Sequence, residues 1–447
     1  MKKNVRRKAT EAEKSALRLA NIPIEDRDEA LLEAAEGIER NTSRILSANE
    51  KDVEYAEKLL DKGEYSQALV DRLKISESKI RSIAQMVRSV ADQEDPLNRT
   101  LDATQMDEGL ELYKVSVPIG VIGSVFESRP DVLPQISALC LKSGNSVILK
   151  GGSEAEKSNE VLFQIFKEAT EGVGIPSGWI QLIEAREEVH ELLELEDKVD
   201  LLIPRGSKSF IKFIQENSRI PVLGHAEGLC HIYVDKDADL KKAEKVSFDG
   251  KTQYPAVCNA IDTLLVHEEI ASDFLPSLAE IYKKAGVEIR GCTKTRNILG
   301  GIKEADEEDW QTEYLDLIIS IKIVNSLKEA IDHVNKYGSK HTDGIISENS
   351  SRLLTFMEGV DSSSVMANAS TRFSDGFRYG LGAEVGISTG KIHARGPVGL
   401  EGLTTYKYYI IGDGHIVDTY SGSEAKQFTH KKLSKDWKHV KEKLGRE

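Results

Sequence analysis

Two periodicities divide this chain. Up to about Asn98 apolar positions recur only at helical spacing, as in Ala30, Leu31, Ala34, Ala35 and Ile38, one stripe of period 3.6. This part is expected to be helical throughout. From Leu110 the pattern changes: ELYKVSVPIGVIGSVFES is rich in β-branched residues and glycine, and DVLPQISALCLKSGN then reads as a helix closed by Gly144 in its C′ position. Strand and helix patterns alternate from there. SVILK (146–150), a helix starting near Ser158, WIQLI (179–183), DLLIP (200–204), the helix SKSFIKFIQEN and HIYVD (231–235) make a first block. The strand after Cys258, DLIISIKIV, the helix LKEAIDHVNKYG, DGIIS and SSVMAN make a second. Such alternation is the signature of right-handed βαβ units, so two parallel-sheet α/β domains in series are expected. TYKYYI predicts a last strand, and beyond Ile411 the residues turn polar and Lys-rich, as in a peripheral extension.

Composition narrows the function classes. The 447 residues are 40% hydrophobic, enough for full cores, and carry a net charge of −14. A pI near 5.4 argues against nucleic acid or an anionic membrane surface as the main partner and leaves small molecules. Cys140, Cys230, Cys258 and Cys292 form no C-x-x-C pair, which fits a reducing compartment. No stretch reaches 18 uncharged apolar residues, and the basic start MKKNVRRKATEAEK has no apolar run behind it, so a cytoplasmic protein is expected. G-x-G-x-x-G after a strand, a P-loop and H-E-x-x-H are all missing from the sequence, so no metal is expected.

Candidate chemistry begins with KTQYPAVCNAIDTLLVH. Here Cys258 ends a turn-rich loop immediately before the apolar run Leu264, Leu265 and Val266, so the thiol stands on a rigid frame beside accessible backbone. A nucleophilic role then requires a polar or electropositive pocket, since a free thiol of pKa about 8.5 is mostly protonated at neutral pH. Two strand-to-helix turns are candidate phosphate cradles: LKGGSEAEKSN, with Lys150, Gly151 and Gly152, and PRGSKSF, with Gly206 and Ser207.

The order of these features, with a late glycine-rich NASTRFSDGFRYGLGAEVGIS, resembles the aldehyde dehydrogenase superfamily and, within it, the γ-glutamyl phosphate reductase family. PIGVIGSVFESRPDV, SGNSVILKGG, GVGIP, IPRGSKSFIKFIQENSRIPVLGHAEGLCHIYVD, VCNAIDTLLVH, TEYLDLIISIKIV, YGSKHTDGI and LGAEVGISTGKIHARGPVGLEGLTTYKY carry the likeness, from about Glu111 to Tyr409. It implies an α/β aldehyde-dehydrogenase-like fold: a cofactor-binding domain at 1–110 and 118–240, a catalytic cysteine domain at 241–402, a β oligomerisation flap at 111–117 and 403–412, and the extension at 413–447. The implied activity is NADPH-dependent reduction of γ-glutamyl 5-phosphate to glutamate 5-semialdehyde through a Cys258 thioester, in proline biosynthesis. A homodimer or higher homo-oligomer is implied, with glutamate 5-kinase as a candidate partner.

The resemblance also assigns roles residue by residue. Arg129 or Asn259, with the Cys258 backbone N–H, is the candidate oxyanion or phosphate contact. Lys150, Gly151, Gly206, Ser207 and Glu313 are assigned to the cofactor, Lys150 on the adenosine side and Glu313 on the nicotinamide ribose. Asn368, Ser370, Thr371, Arg372 and Arg395 are candidates for the substrate's α-carboxylate. His225 stands in the slot where hydrolytic members carry a water-activating glutamate, and a thioester meant for hydride is better sheltered from water. His267, Cys140, Cys230 and Cys292 are assigned to structure. The rivals are an oxidative NAD(P)-dependent aldehyde dehydrogenase, which the missing glutamate disfavours, and an inactive binding homologue, which the intact VCNA phrase disfavours.

Overall fold

The computed structural model describes residues 2–184, 187–225 and 227–445. Helices Lys2–Leu19, Ile24–Arg40, Thr42–Asp61, Gln67–Leu73 and Glu77–Ala91 occupy the N-terminal part, as the 3.6 period requires. A four-stranded parallel sheet follows, in the order Ile180–Leu182, Ser146–Gly151, Val121–Phe126, Leu201–Arg205. Its central strands are buried on both faces. Val121, Val125 and Ile148 face one core with the helix Lys2–Leu19, while Ile122, Phe126, Val147 and Leu149 face another built by helices Ile24–Arg40, Glu77–Ala91, Val132–Lys142 and Glu156–Gly172. Apolar residues at consecutive positions therefore serve two cores, which is why these strands read as runs and do not alternate.

A second sheet has seven parallel strands, in the order Lys303–Glu304, Glu288–Gly291, Ile318–Val324, Ile261–His267, Cys230–Val234, Thr342–Ile346, Ser364–Ala367. The strand Cys230–Val234 lies in this sheet, next to Ile261–His267. Its place corrects the expected division at 240, because the chain passes from the first sheet to the second before Cys230. Periodicity assigns a strand's faces but not its neighbours.

The third sheet is antiparallel: Thr404–Ile411, Leu110–Pro118, Thr100–Asp107, Lys431–Lys432. The expected flap at 111–117 and 403–412 thus gains two strands that the hydrophobic pattern did not mark. The extension after 413 is not merely peripheral. Its helix Trp437–Leu444 places Trp437 against Tyr409, stacked at 4.4 Å between ring centres, and against Tyr113 at 5.5 Å. Residues 446–447 of that extension lie outside the described residues. Among the described residues, no helix is long and apolar enough to cross a membrane.

Candidate active site

The cysteine loop is held at both ends. Asp239 caps the helix Leu240–Thr252 by accepting from Lys242 N–H at 2.8 Å, and Gly250 lies flat against Ile232 and Ile261 of the sheet. The next residue, Lys251, is fully buried and meets Asp262 of the strand Ile261–His267 at 3.3 Å. A buried ion pair therefore closes the loop 253–260 across its base, with Cys258 near its end.

Neighbouring segments fix the nucleophile itself. Cys230 Sγ donates to the Cys258 carbonyl at 3.2 Å, and Thr371 Oγ1 donates to the Asn259 carbonyl at 2.7 Å. Asn259 Nδ2 donates to the Ser374 carbonyl at 2.8 Å. A Cβ at residue 228 would stand 2.3 Å from Cys258 Cβ and 2.4 Å from its carbonyl oxygen, so only glycine allows this approach. Cys230, assigned to structure from the sequence, supports the nucleophile from beneath.

The site joins opposite ends of the two sheets. Arg205 ends the strand Leu201–Arg205 of the first, whereas Cys258, Glu313 and His341 all precede strands of the second. The Cys258 thiol is pushed up to about 12, by desolvation first and then by Glu313, with Arg205 acting the other way and Glu384 adding to the rise. The resting thiol is neutral. Glu313 accepts from Gly228 N–H, and burial followed by Asp262 pushes its carboxyl up. Arg205 donates to the Val385 carbonyl at 3.2 Å and feels both Cys258 and Arg129. Gly386, at φ +149, makes room for it, since a Cβ there would lie 2.6 Å from Arg205 Nη1.

Of the residues assigned to the substrate, Arg372 reaches the cysteine's surroundings. Its guanidinium donates to Gln253 Oε1 at 2.9 Å, and burial, then neighbouring Arg378, pulls it down, while a Cys258 thiolate, once formed, would oppose the pull. Ser370 and Thr371 are buried and shape the turn beneath it, Ser370 Oγ accepting from Arg372 N–H. Two other candidates have partners of their own within the chain. Asn368, at φ +56, has both ends of its amide on the Ser347 backbone, at 3.0 and 2.9 Å, and so pins a strand end. Arg395 pairs with Asp361 at 3.0 Å, in the wall of a separate cavity of about 450 Å³ that it shares with Arg99 and His393. Arg129 is exposed beside Arg205, and its side chain is available to an arriving anion.

Both glycine-rich turns are already filled by the protein's own carboxylates. Asp52, from a distant helix, accepts from the N–H groups of Lys157 and Ser158 at 3.1 and 2.7 Å at the start of Glu156–Gly172. Glu127 accepts from Ser207 N–H at 2.8 Å and Oγ at 3.1 Å, close over Gly206. Gly151 packs against Asn159, where a Cβ would fall 2.1 Å from its Nδ2. These turns thus bring chain to chain more closely than a bare phosphate cradle would. Lys150 is nearly buried at the next-to-last position of its strand, with Nζ donating to the Gly151 carbonyl.

Arg205, Gly228, His341 and Glu384 were missed by sequence reasoning. Arg205 stands in PRGSKSF, where the glycine and serine carry the turn signal and an arginine at a strand end has no pattern of its own. His267 is structural as expected, its Nδ1 accepting from Glu269 N–H at 3.2 Å at a helix start.

The chain matches the aldehyde dehydrogenase family over residues 1–316. It is 60% identical over 431 residues to the γ-glutamyl phosphate reductase of Natronomonas pharaonis, a match covering 96% of this chain and 98% of that one. The crystal structure of γ-glutamyl phosphate reductase from Thermotoga maritima is similar with a TM-score of 0.89 at 42% identity, covering 92% of this chain and 99% of that one. A glyceraldehyde-3-phosphate dehydrogenase from Methanocaldococcus jannaschii, complexed with NADP, shares the fold with a TM-score of 0.63 at 18% identity, over 92% of this chain and 95% of that one.

Proposed function

The chain belongs to the aldehyde dehydrogenase family, in its γ-glutamyl phosphate reductase branch, and from that premise we infer that Cys258 is the nucleophile of a reductive acyl transfer. The enzyme is an oxidoreductase of proline biosynthesis that converts γ-glutamyl phosphate to glutamate 5-semialdehyde and phosphate. The observation that carries the mechanism is the cysteine's company. Its thiol is approached by Arg205 and Arg372 and has neutral His225 as a neighbour.

Each group then has a task. Arg205, Arg129 and Arg372 attract an acyl phosphate that carries negative charge at both ends, and a planar guanidinium suits phosphate and carboxylate alike. His225 Nδ1 lies 2.8 Å from the Ile387 carbonyl and must donate to it, so the neutral ring has a lone pair on Nε2. Burial pulls that imidazole down to about 4, with the Ile387 bond opposing, so the ring is neutral and a weak base at neutral pH: its Nε2 can relay the thiol proton, which ends on the departing phosphate, the stronger base. Sulfur attacks the acyl carbon, the bond to phosphate oxygen breaks, and a Cys258 thioester remains. Phosphate is a good leaving group and needs no acid.

The family uses a nicotinamide cofactor, and we propose NADPH, which supplies hydride to that thioester when bound. Lys150 fits its adenosine side and Glu313, close to the thiol, its ribose near the reacting carbon. Ser207 fits a cofactor phosphate once its N–H exchanges Glu127 for the incoming anion. A homo-oligomer is part of the same reading, supported by the edge strand Thr404–Ile411, where Tyr406, Tyr408 and Ile410 are exposed on one face.

The deciding experiment runs the reaction backward with pyrroline-5-carboxylate, NADP and phosphate. Cofactor reduction should require phosphate and vanish in Cys258→Ser, since a hydroxyl is a far poorer nucleophile. Equal rates without phosphate would favour the hydrolytic rival and overturn this reading.

A further inference from the structure

His225, Cys258 and His341 each offer one donor atom, and these three atoms lie within 4.8 Å of one another. The two rings meet edge to face at 5.0 Å between centres. The sequence holds them 33 and 83 positions apart from the thiol, so no motif announces the cluster. His341 is fully buried, with Nδ1 2.9 Å from Thr342 Oγ1, and its Nε2 has no hydrogen-bond partner. Such an orphan nitrogen is costly to bury and calls for an explanation. His225 likewise has Nδ1 engaged and Nε2 left over. Acyl reduction uses the thiol and at most one of these rings, so the pair exceeds what the proposed mechanism requires.

We propose that His225, Cys258 and His341 form a binding site for a soft divalent cation of the zinc class, which switches the enzyme off reversibly by capturing its nucleophile. Two imidazoles and a thiolate are a donor set that selects zinc over magnesium or calcium, and three protein ligands leave a fourth position for water. In a tetrahedral zinc site the donor atoms stand about 3.4–3.8 Å apart, so the cluster needs only a modest inward shift of side chains. Binding is balanced simply: the Cys258 S–H loses its proton to solvent, sulfur forms the metal bond, and no electron changes hands. While the metal is bound, the sulfur's negative charge is drawn into the metal bond and the ion and its ligands stand over it, so its attack on the acyl carbon is suppressed. Arg205 does not compete for the same space chemically, because a guanidinium is no metal ligand. Inhibition rests on Cys258 being the nucleophile, as inferred above, whereas binding of the metal by the thiol and two rings does not depend on the acyl substrate.

The test uses the full-length chain stripped of metal with a chelator. Titration with Co²⁺ should give one bound ion per chain and a thiolate-to-cobalt absorption band, which Zn²⁺ then displaces. Zn²⁺ at saturation should slow alkylation of Cys258 by iodoacetamide at least about tenfold, since the free thiolate is the reacting form. Turnover should fall in proportion to zinc bound and return with chelator, while Mg²⁺ does neither. Cys258→Ser and His341→Gln should each remove the cobalt band. Should His341→Gln fail to fold, wild-type protein already alkylated at Cys258 provides the same control and must show no band. Unchanged alkylation at saturating Zn²⁺, or equal zinc affinity after Cys258 is alkylated, would overturn the site.

Discussion

At the residue scale the chemistry turns on a thiol kept neutral until substrate arrives. Burial holds Cys258 up at about 12, so its reactivity in chelator-treated free enzyme should climb about tenfold per pH unit through pH 9 and 10, with no plateau. Measured iodoacetamide rates check this, and a plateau near the ordinary thiol value of about 8.5 would sink it. The same shift bears on stability: the neutral half-buried thiol contributes fully below about 8.5, and the contribution is lost as pH rises toward 12. Arg372 offers a second residue-scale test. Arg372→Lys keeps the charge but loses the fork that also holds Gln253, so kcat/KM for the semialdehyde should fall at least about tenfold. Aldehydes lacking an α-carboxylate should barely change. An equal fall for both would make Arg372 a support of the loop.

At the element scale, two close approaches dictate where the loop and the helix can sit. Gly228→Ala would put a methyl 2.3 Å from Cys258 Cβ, and such overpacking typically costs about 1–3 kcal/mol. The variant should unfold at lower temperature and lose most turnover while binding cofactor, since the displaced element carries the nucleophile; calorimetry and cofactor titration separate the two effects. Glu127 occupies the start of helix Lys208–Asn217 through Ser207 N–H, at the positive end of the helix dipole. Glu127→Gln removes a negative charge that a cofactor phosphate must displace, so the NADPH Michaelis constant should fall severalfold. A rise would mean that the carboxylate shapes the turn more than it blocks it.

At the scale of the whole molecule, the third sheet ties the C-terminal extension to both ends of the flap. Tyr113 and Tyr409 hold Trp437 on one side, and on the strand Thr404–Ile411 alternate residues Tyr406, Tyr408 and Ile410 face outward. A free edge with exposed aromatics invites strand pairing with another copy, and a lysine there opposes it. Tyr408→Lys should therefore reduce the mass measured by sedimentation to that of a smaller assembly. An unchanged mass would move the interface elsewhere.

Sequence alone determined much of this protein because its strands are buried on both faces. Val121–Phe126 and Ile261–His267 must read as apolar runs whatever surrounds them, and a thiol in a polar loop before such a run is visible without coordinates. The helical N-terminal part was legible because each long helix turns one apolar stripe to a core, Lys2–Leu19 to one and Ile24–Arg40 to the other. Family likeness then supplied the chemistry that spacing could not. Tertiary structure decided which distant groups arrive at each strand end. Asp52 caps a helix 105 residues away, Arg205 comes from the other sheet, and Asn368 and Arg395 turn to Ser347 and Asp361 although their loop looked made for a carboxylate. A hydrophobic period records which face is dry, and it holds no record of partners brought together by the order of strands. For that reason the histidines beside Cys258 could be found only once the sheet was assembled.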